Sequence, residues 1–515
     1  MPRFFNTAGP CNPRNHYMLS WEDRLPDMRG LIDQELYFVV HAPRQVGKTT
    51  SFLHLARSLT EGGRYTALLA SCETGQTARD NVMAAVMAII RSIEANARHF
   101  LPEDLRPPPP DLDGVDAESR LGHFIERWSR TSPRPVVLFL DEIDALLDES
   151  LLSVLRQLRS AYVNRPEGFP QSMALIGLRD VRDYKVKLRP DADSMGTASP
   201  FNIKVRSIRL RDFTAGEVAR LYRQHTEETG QEWTEEAVAR AFHLTQGQPW
   251  LVNALAYQIC CEDLTDRDLT IGVEHIEQAK EALIERRDTH LDSLVARLQE
   301  PRVRRVIEPI LTGDIVVDPT YDDDFSFLRD LGLVTVEGGV RRISNPIYQE
   351  VIPRVLTHQV QTSIPLDPAW FVAGDGGLDV RKLIDGFLEF WQENGEVLLR
   401  GMPYHEAAPH LVFMAYLQRV VNAGGRIERE LAVGTRRADL VVDFGGRRDV
   451  IELKLTSAPK ALDRGLKQVS SYAKRLGRDV GYLVIFDPKS SAPWEERGQV
   501  EDAVHDGVTV VVVRA

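Results

Sequence analysis

The chain has 515 residues, 43% hydrophobic and 27% charged, which argues against wholesale disorder and leaves room for about two to four domains. A net charge of −12 excludes a global basic field, so any surface for nucleic acid is local. Four cysteines (Cys11, Cys72, Cys260, Cys261) lack metal-site spacing and the density of a stapled secreted domain; with no signal-peptide core and no bilayer-length apolar run, the expected address is cytoplasmic, without membrane contact.

Residues 1–35 hold the turn formers Gly9-Pro10 and Asn12-Pro13, then a helix over Met28 to Glu35. This segment supplies either part of an adenine pocket, through Tyr17 or Met18, or a simple brace. A strand over Leu36–Val40 then leads into His41-Ala42-Pro43-Arg44-Gln45-Val46-Gly47-Lys48-Thr49-Thr50 and a helical pattern from Ser51. Strand, loop ending in Gly-Lys-Thr, and helix form the context of a phosphate-binding loop. Ala42, Gln45, Val46, Gly47 and Thr50 are expected to frame the polyphosphate of ATP with backbone amides. Lys48 would reach the outer phosphates and the Thr49 hydroxyl would ligate Mg²⁺. Ala42 stands where such loops carry their first glycine, which reduces backbone freedom there.

A second strand over Tyr65–Ala70 precedes a long helix to about Arg98, and the Pro-rich stretch Leu101–Asp113 reads as an exposed extended loop. Val136–Leu140 is apolar without alternation, as in a strand covered on both faces, and ends in Asp141-Glu142. An acidic pair at that end falls where ligands bind in open α/β sheets. Asp141 would hold Mg²⁺ through water, and Glu142 would polarise the water attacking the γ-phosphate. Asp144 reads only as a first-turn helix residue. The next strand, Met173–Leu178, ends at Arg179, either a γ-phosphate sensor or a surface arginine on a βα loop. A fifth strand over Lys204–Leu210 leads into helical sequence from Ala215 to about Leu298, broken at Gly247-Gln248-Pro249.

These motifs together resemble the AAA-type and STAND-like ATPases. That resemblance implies a five-stranded parallel core of ASCE type over 1–212, a helical lid over 213–299, and ATP-driven switching, with a nucleotide-dependent homo-oligomer as one form of the switch.

Residues 300–356 read as a winged-helix module: helices over Val303–Leu311 and around Phe325–Leu331, then a hairpin turning at Gly338-Gly339. Its candidate recognition helix opens with Asp322-Asp323-Asp324, which repels phosphates and favours a packing or regulatory role. Residues 357–378 read as a linker.

The C-terminal domain, 379–515, is expected to carry a helix to about Glu393, a second over Tyr404–Val421 bearing Glu406, and a strand over Gly425–Leu431. Two further strands flank Gly445-Gly446. As a two-residue hairpin turn this dipeptide sets Phe444 opposite Arg447, and counting outward sets Asp439 opposite Glu452. Lys454 shares their face, two residues beyond Glu452. Two facing carboxylates repel unless a cation lies between them, and Mg²⁺ suits hard oxygen ligands. The expected chemistry is metal-assisted phosphodiester hydrolysis, with Asp439 and Glu452 as ligands and Lys454 stabilising the transition state. Arginines and lysines clustered nearby in sequence, among them Arg447, Arg448 and Lys467, suit a polyanionic backbone.

This pattern resembles the PD-(D/E)XK nuclease superfamily, with Ala438-Asp439 in place of its Pro-Asp. The resemblance implies further roles for Glu406, as a metal ligand or orienting group, and for Gln468 and Tyr472 on the following helix. The whole chain also resembles bacterial and archaeal fusions of an AAA-like ATPase to such a domain. It implies an α/β multidomain protein that binds ATP and Mg²⁺ and acts on nucleic acid, DNA ahead of RNA, around defence or mobile elements. The alternative is a nucleotide-switched signalling or scaffold ATPase whose C-terminal domain binds without cleaving.

Overall fold

Five short segments, the first four largely apolar, build the first sheet: β1 (Tyr37–His41), β2 (Thr66–Ser71), β3 (Val136–Asp141), β4 (Ser172–Gly177) and β5 (Lys204–Arg209). The computed structural model describes residues 2–179, 203–286, 294, 296–311, 322–356, 371–373, 377–401, 407–421, 425–433, 436–455, 459–487, 493 and 497–515. The chain divides into two units, Met1–Glu285 with Arg329–Gly332, and Arg286–Leu328 with Leu333–Ala515.

In the first unit the strands run parallel in the order β2-β3-β4-β1-β5, so β4 lies between β1 and β3. Successive residues of β1 to β4 enter opposite cores, which is why those segments are apolar without alternation, whereas β5 at the sheet edge is of mixed polarity. Tyr37, Val39, Leu138, Leu140, Met173 and Leu175 face one core; Phe38, Val40, Val137, Phe139, Ala174 and Ile176 face the other. Register aligns His41 with Gly177 and Ser71 with Asp141, so the loops after β1 to β4 emerge along one edge.

The stretch expected as an exposed loop over Leu101–Asp113 is only partly so. Pro109 and Pro110 are exposed, but Leu101, Leu105 and Leu112 are buried in the first core, Leu105 from a short 3₁₀ turn. Three leucines among the prolines carry enough apolar area to anchor the segment.

Beyond β5 the helix Ala215–Thr229 opens with a reciprocal cap between Thr214 and Glu217. Helices Glu235–Thr245 and Pro249–Tyr257 follow. The break between them is a steric necessity: Gly247 sits at φ +76°, and a Cβ there would lie 1.8 Å from the Phe213 carbonyl oxygen. Phe213 N–H in turn donates to the Gly247 carbonyl at 2.8 Å. Pro249 then starts the next helix at a position that needs no donor.

In the second unit β6 (Val334–Glu337) and β7 (Val340–Ile343) form the hairpin expected at Gly338-Gly339, both of which have positive φ. Helices Pro301–Leu311 and Asp323–Asp330 precede it, and Pro346–Leu356 follows. Of the stretch expected as a linker, 357–370 and 374–376 lie outside the described residues. The rest is packed: Phe371 is fully buried, in edge contact with Phe444, and Val372 bridges to Leu378.

A six-stranded sheet ends the chain: β8 (Gly425–Val433), β9 (Arg436–Phe444), β10 (Arg447–Lys454), β11 (Val480–Ile485), β12 (Gln499–His505) and β13 (Val508–Arg514). Their order is β12-β13-β11-β10-β9-β8. Pairing is antiparallel from β8 to β10, parallel through β11 to β13, and antiparallel at β12. The helix Pro459–Arg475 covers one face through Val469, Tyr472 and Ala473. The helix expected to stop near Glu393 continues to Gly401, and the one expected from Tyr404 starts at Ala408.

Candidate functional site

The loop after β1 turns through two left-handed residues, Gln45 at φ +58° and Gly47 at φ +89°, before the helix Lys48–Glu61 begins. Ala42 is not a strained substitute for glycine: its backbone φ is negative and its methyl is fully buried in the second core. Lys48 Nζ donates to the carbonyl oxygens of Ala42 (2.8 Å) and Pro43 (2.7 Å), folding the loop around its ammonium. Burial pushes that ammonium down to about 8, against the opposing pull of Asp141, Asp144 and Glu142.

The Thr49 hydroxyl donates to Asp141 Oδ2 at 2.6 Å, so the two groups expected around Mg²⁺ meet across the sheet. A hydroxyl and a carboxylate are hard oxygen donors, which fits that ion. Burial raises the Asp141 carboxyl, opposed by the Thr49 hydrogen bond and by Lys48. Glu142 follows in a left-handed conformation, φ +56°, and accepts a 2.6 Å hydrogen bond from Ser71 Oγ at the end of β2. Burial raises this carboxyl as well, and the Ser71 bond opposes it. Sequence reading overlooked Ser71; the signal was a hydroxyl at the C-terminal end of the neighbouring strand. Arg179 lies two residues beyond β4 and is half-buried. Asp144, read from sequence as a helix residue, belongs instead to the 3₁₀ turn Ile143–Ala145, and its carboxylate accepts from Leu178 N–H at 3.1 Å. The next helix starts only at Asp148, which frees Asp144 to turn back toward the strand.

A cleft of about 260 Å³ adjoins the loop, lined by residues 45–51, by Tyr17, Met18 and Leu19 of the N-terminal segment, and by Phe213, Trp250 and Asn253. The N-terminal segment is tied to both walls: Cys11 N–H donates to Thr50 Oγ1 (3.0 Å) and Thr7 O accepts from Trp250 Nε1 (2.8 Å). Tyr17 Oη, Arg24 Nη1 and Asn253 Oδ1, on residues lining the cleft, are buried without a hydrogen-bond partner within the protein.

In the second unit, Gly445 (φ +59°) and Gly446 (φ +77°) make the two-residue turn. Phe444 pairs with Arg447, and the recorded register runs outward to Leu440 opposite Ile451. The expected pairing of Asp439 with Glu452 lies one step beyond the recorded register; the Asp439 side chain and all of Glu406 lie outside the described residues. Glu452 is 0% exposed, and Lys454 Nζ donates to its Oε1 at 2.8 Å. Ile451 and Leu453, on the alternate face, are buried. On the covering helix Tyr472 is buried, and the Gln468 Oε1 is buried without a partner. Among the described residues no cluster of three or more His, Cys, Asp or Glu side chains is arranged for a metal ion. None of the described helices is long and apolar enough to cross a membrane.

Residues 32–353 match the family described as AAA-like domain. The chain belongs to that AAA-like family. Residues 383–490 of this AAA-like protein match a domain of unknown function, DUF8371. No curated protein matches. Among solved structures, the Walker-type ATPase PABY2304 of Pyrococcus abyssi is 11% identical over 68% of this chain and 99% of its own, with a TM-score of 0.47. Cdc6p from Pyrobaculum aerophilum is 14% identical over 66% and 94%, TM-score 0.37. The Thermotoga maritima RuvB Holliday junction branch migration motor is 13% identical over 64% and 93%, TM-score 0.34.

Proposed function

We propose that the first unit binds and hydrolyses ATP with Mg²⁺, and that it regulates a Mg²⁺-dependent phosphodiesterase of the PD-(D/E)XK type in the C-terminal sheet. The substrate is nucleic acid, DNA before RNA. In the first unit Lys48 neutralises the outer phosphates and Thr49 and Asp141 hold the metal, which shields phosphate charge. Glu142 orients the attacking water once it leaves Ser71, and Arg179 contacts the γ-phosphate. Residues 300–356 act as a winged-helix module in packing or regulation, and nucleotide-dependent self-association is part of the switch.

The nuclease half is supported by the tight β9–β10 turn, whose recorded register ends at Leu440 opposite Ile451, one step short of the expected Asp439–Glu452 pair, and by Lys454 ion-paired to the buried Glu452. Asp439 and Glu452 would hold the metal, Lys454 would steady the charge developing on phosphate, and Gln468 and Glu406 would orient the site. A second reading, a signalling ATPase whose C-terminal domain binds without cutting, is favoured by the complete burial of Glu452. Incubating the full chain with single- and double-stranded DNA and RNA, in Mg²⁺ with and without ATP, separates them. Cleavage by wild type that Glu452→Ala abolishes supports the nuclease. ATP binding with no cleavage of any substrate discards it in favour of the second reading.

A further inference from the structure

We infer that Asp144 is a positioning residue for γ-phosphate recognition: its carboxylate fastens the turn carrying Glu142 to the strand end carrying Arg179. The inference rests on the ATP reading of the site and names a residue that no motif assigns.

Recorded pairing between β3 and β4 runs from Val137–Ser172 to Leu140–Leu175. Beyond it the two chains diverge into the loops that hold the acidic pair and Arg179. Asp144 spans that gap. Its own turn is closed by Ala145 N–H donating to the Glu142 carbonyl at 2.9 Å, so moving Asp144 moves Glu142. From that turn its Oδ1 accepts the Leu178 amide at 3.1 Å, one residue before Arg179.

The approach is close, and a side chain at position 177 would push the Asp144 carboxylate aside. A Cβ on Gly177 would lie 2.8 Å from Asp144 Oδ1 and 3.2 Å from Ile143 Cγ2. The carbonyl of the same Gly177 accepts Ala42 N–H at 3.2 Å, at the root of the phosphate loop. Gly177 and Leu178 therefore form a node joining three loops: the phosphate loop through Ala42, the acidic turn through Asp144, and the Arg179 loop by direct continuation. Lys48, Asp141 and Glu142 all feel the Asp144 charge, which places it within electrostatic reach of the polyphosphate. Reacting groups displaced by about 1 Å lose on the order of 100-fold in rate, so a single bond that sets two loops against each other has a disproportionate effect.

Two variants of the full chain separate the hydrogen bond from the charge. Asp144→Asn keeps an acceptor oxygen and removes the charge; Asp144→Ala removes both. Affinities for Mg²⁺-ADP and a non-hydrolysable Mg²⁺-ATP analogue are measured with hydrogen exchange at the Leu178 amide. Asp144→Ala should leave ADP affinity within about 3-fold, lower the preference for the ATP analogue by roughly 10-fold or more, and speed Leu178 exchange. Asp144→Asn should restore most of both. An unchanged preference in Asp144→Ala overturns the inference, as does an Asn variant as impaired as the Ala variant. If wild type binds neither nucleotide, the ATP reading falls, and unchanged Leu178 exchange in Asp144→Ala would then remove the positioning role on its own terms.

Discussion

Replacing Lys454 by Met puts the C-terminal site under its sharpest strain. Glu452 has no exposed surface, and the ammonium 2.8 Å away is held on the same strand. At that distance and an effective dielectric constant of about 20, the gross attraction is about 6 kcal/mol, opposed by several kcal/mol of desolvation for each ion. Removing the ammonium from a fully buried carboxylate should therefore cost about 3 to 5 kcal/mol. The reverse change, Glu452→Gln, should cost only about 1 to 2 kcal/mol, because the Lys454 side chain is 22% exposed and its head can reach water. The double variant should return to within about 1 kcal/mol of wild type. Hydrogen exchange of peptides covering β9 to β11 reads these differences locally, independent of unfolding in the first unit. Equal costs for the two single variants, or a Lys454→Met cost below about 1 kcal/mol, would refute the asymmetry and with it a charged Glu452 held for metal binding.

Three other consequences are open to direct measurement. Glu142→Gln should abolish ATP turnover while leaving nucleotide affinity within about 3-fold, and turnover at the wild-type rate removes Glu142 from the mechanism. Glu217 is desolvated by burial, yet hydrogen bonds from Arg211 and Thr214 bring its carboxyl down to about 2 from an ordinary 4.5. Because the folded value is the lower one, its stabilisation is complete above pH 4.5 and fades as pH falls towards 2. Half-exposure of Arg211 limits it to about 1 to 2 kcal/mol, so the gap between wild type and Glu217→Gln should close over that window. Gly247→Ala, with φ +76° and a carbonyl 1.8 Å from the new Cβ, should cost about 2 to 4 kcal/mol; a melting temperature unchanged within error contradicts that steric account.

Strands β1 to β4 are legible in the sequence because burial on both faces leaves apolar runs, and because Gly47-Lys48-Thr49 and Asp141-Glu142 mark the ends of β1 and β3. The β9–β10 turn was legible for a different reason: two successive glycines admit the positive φ that a tight hairpin requires. What escaped were interactions whose partners are distant in the chain. Ser71 meets Glu142 and Asp144 meets Leu178 only once the strand order is known; the one local hint is the Ser71 hydroxyl at the end of its strand. Leu101, Leu105 and Leu112 are buried within a Pro-rich stretch because composition averages over a window whereas burial is decided residue by residue. Strands β12 and β13 are not among the sequence expectations, although Val508–Arg514 is an apolar run, because no chemical motif accompanies it.

The most direct test is Mg²⁺-dependent nicking of supercoiled circular DNA by the full chain, comparing wild type with Glu452→Gln from matched preparations. Wild type should nick in Mg²⁺ and stop in EDTA, and Glu452→Gln should be inert in both while binding ATP as wild type does. Equal nicking by the two proteins would contradict a metal site built on Glu452.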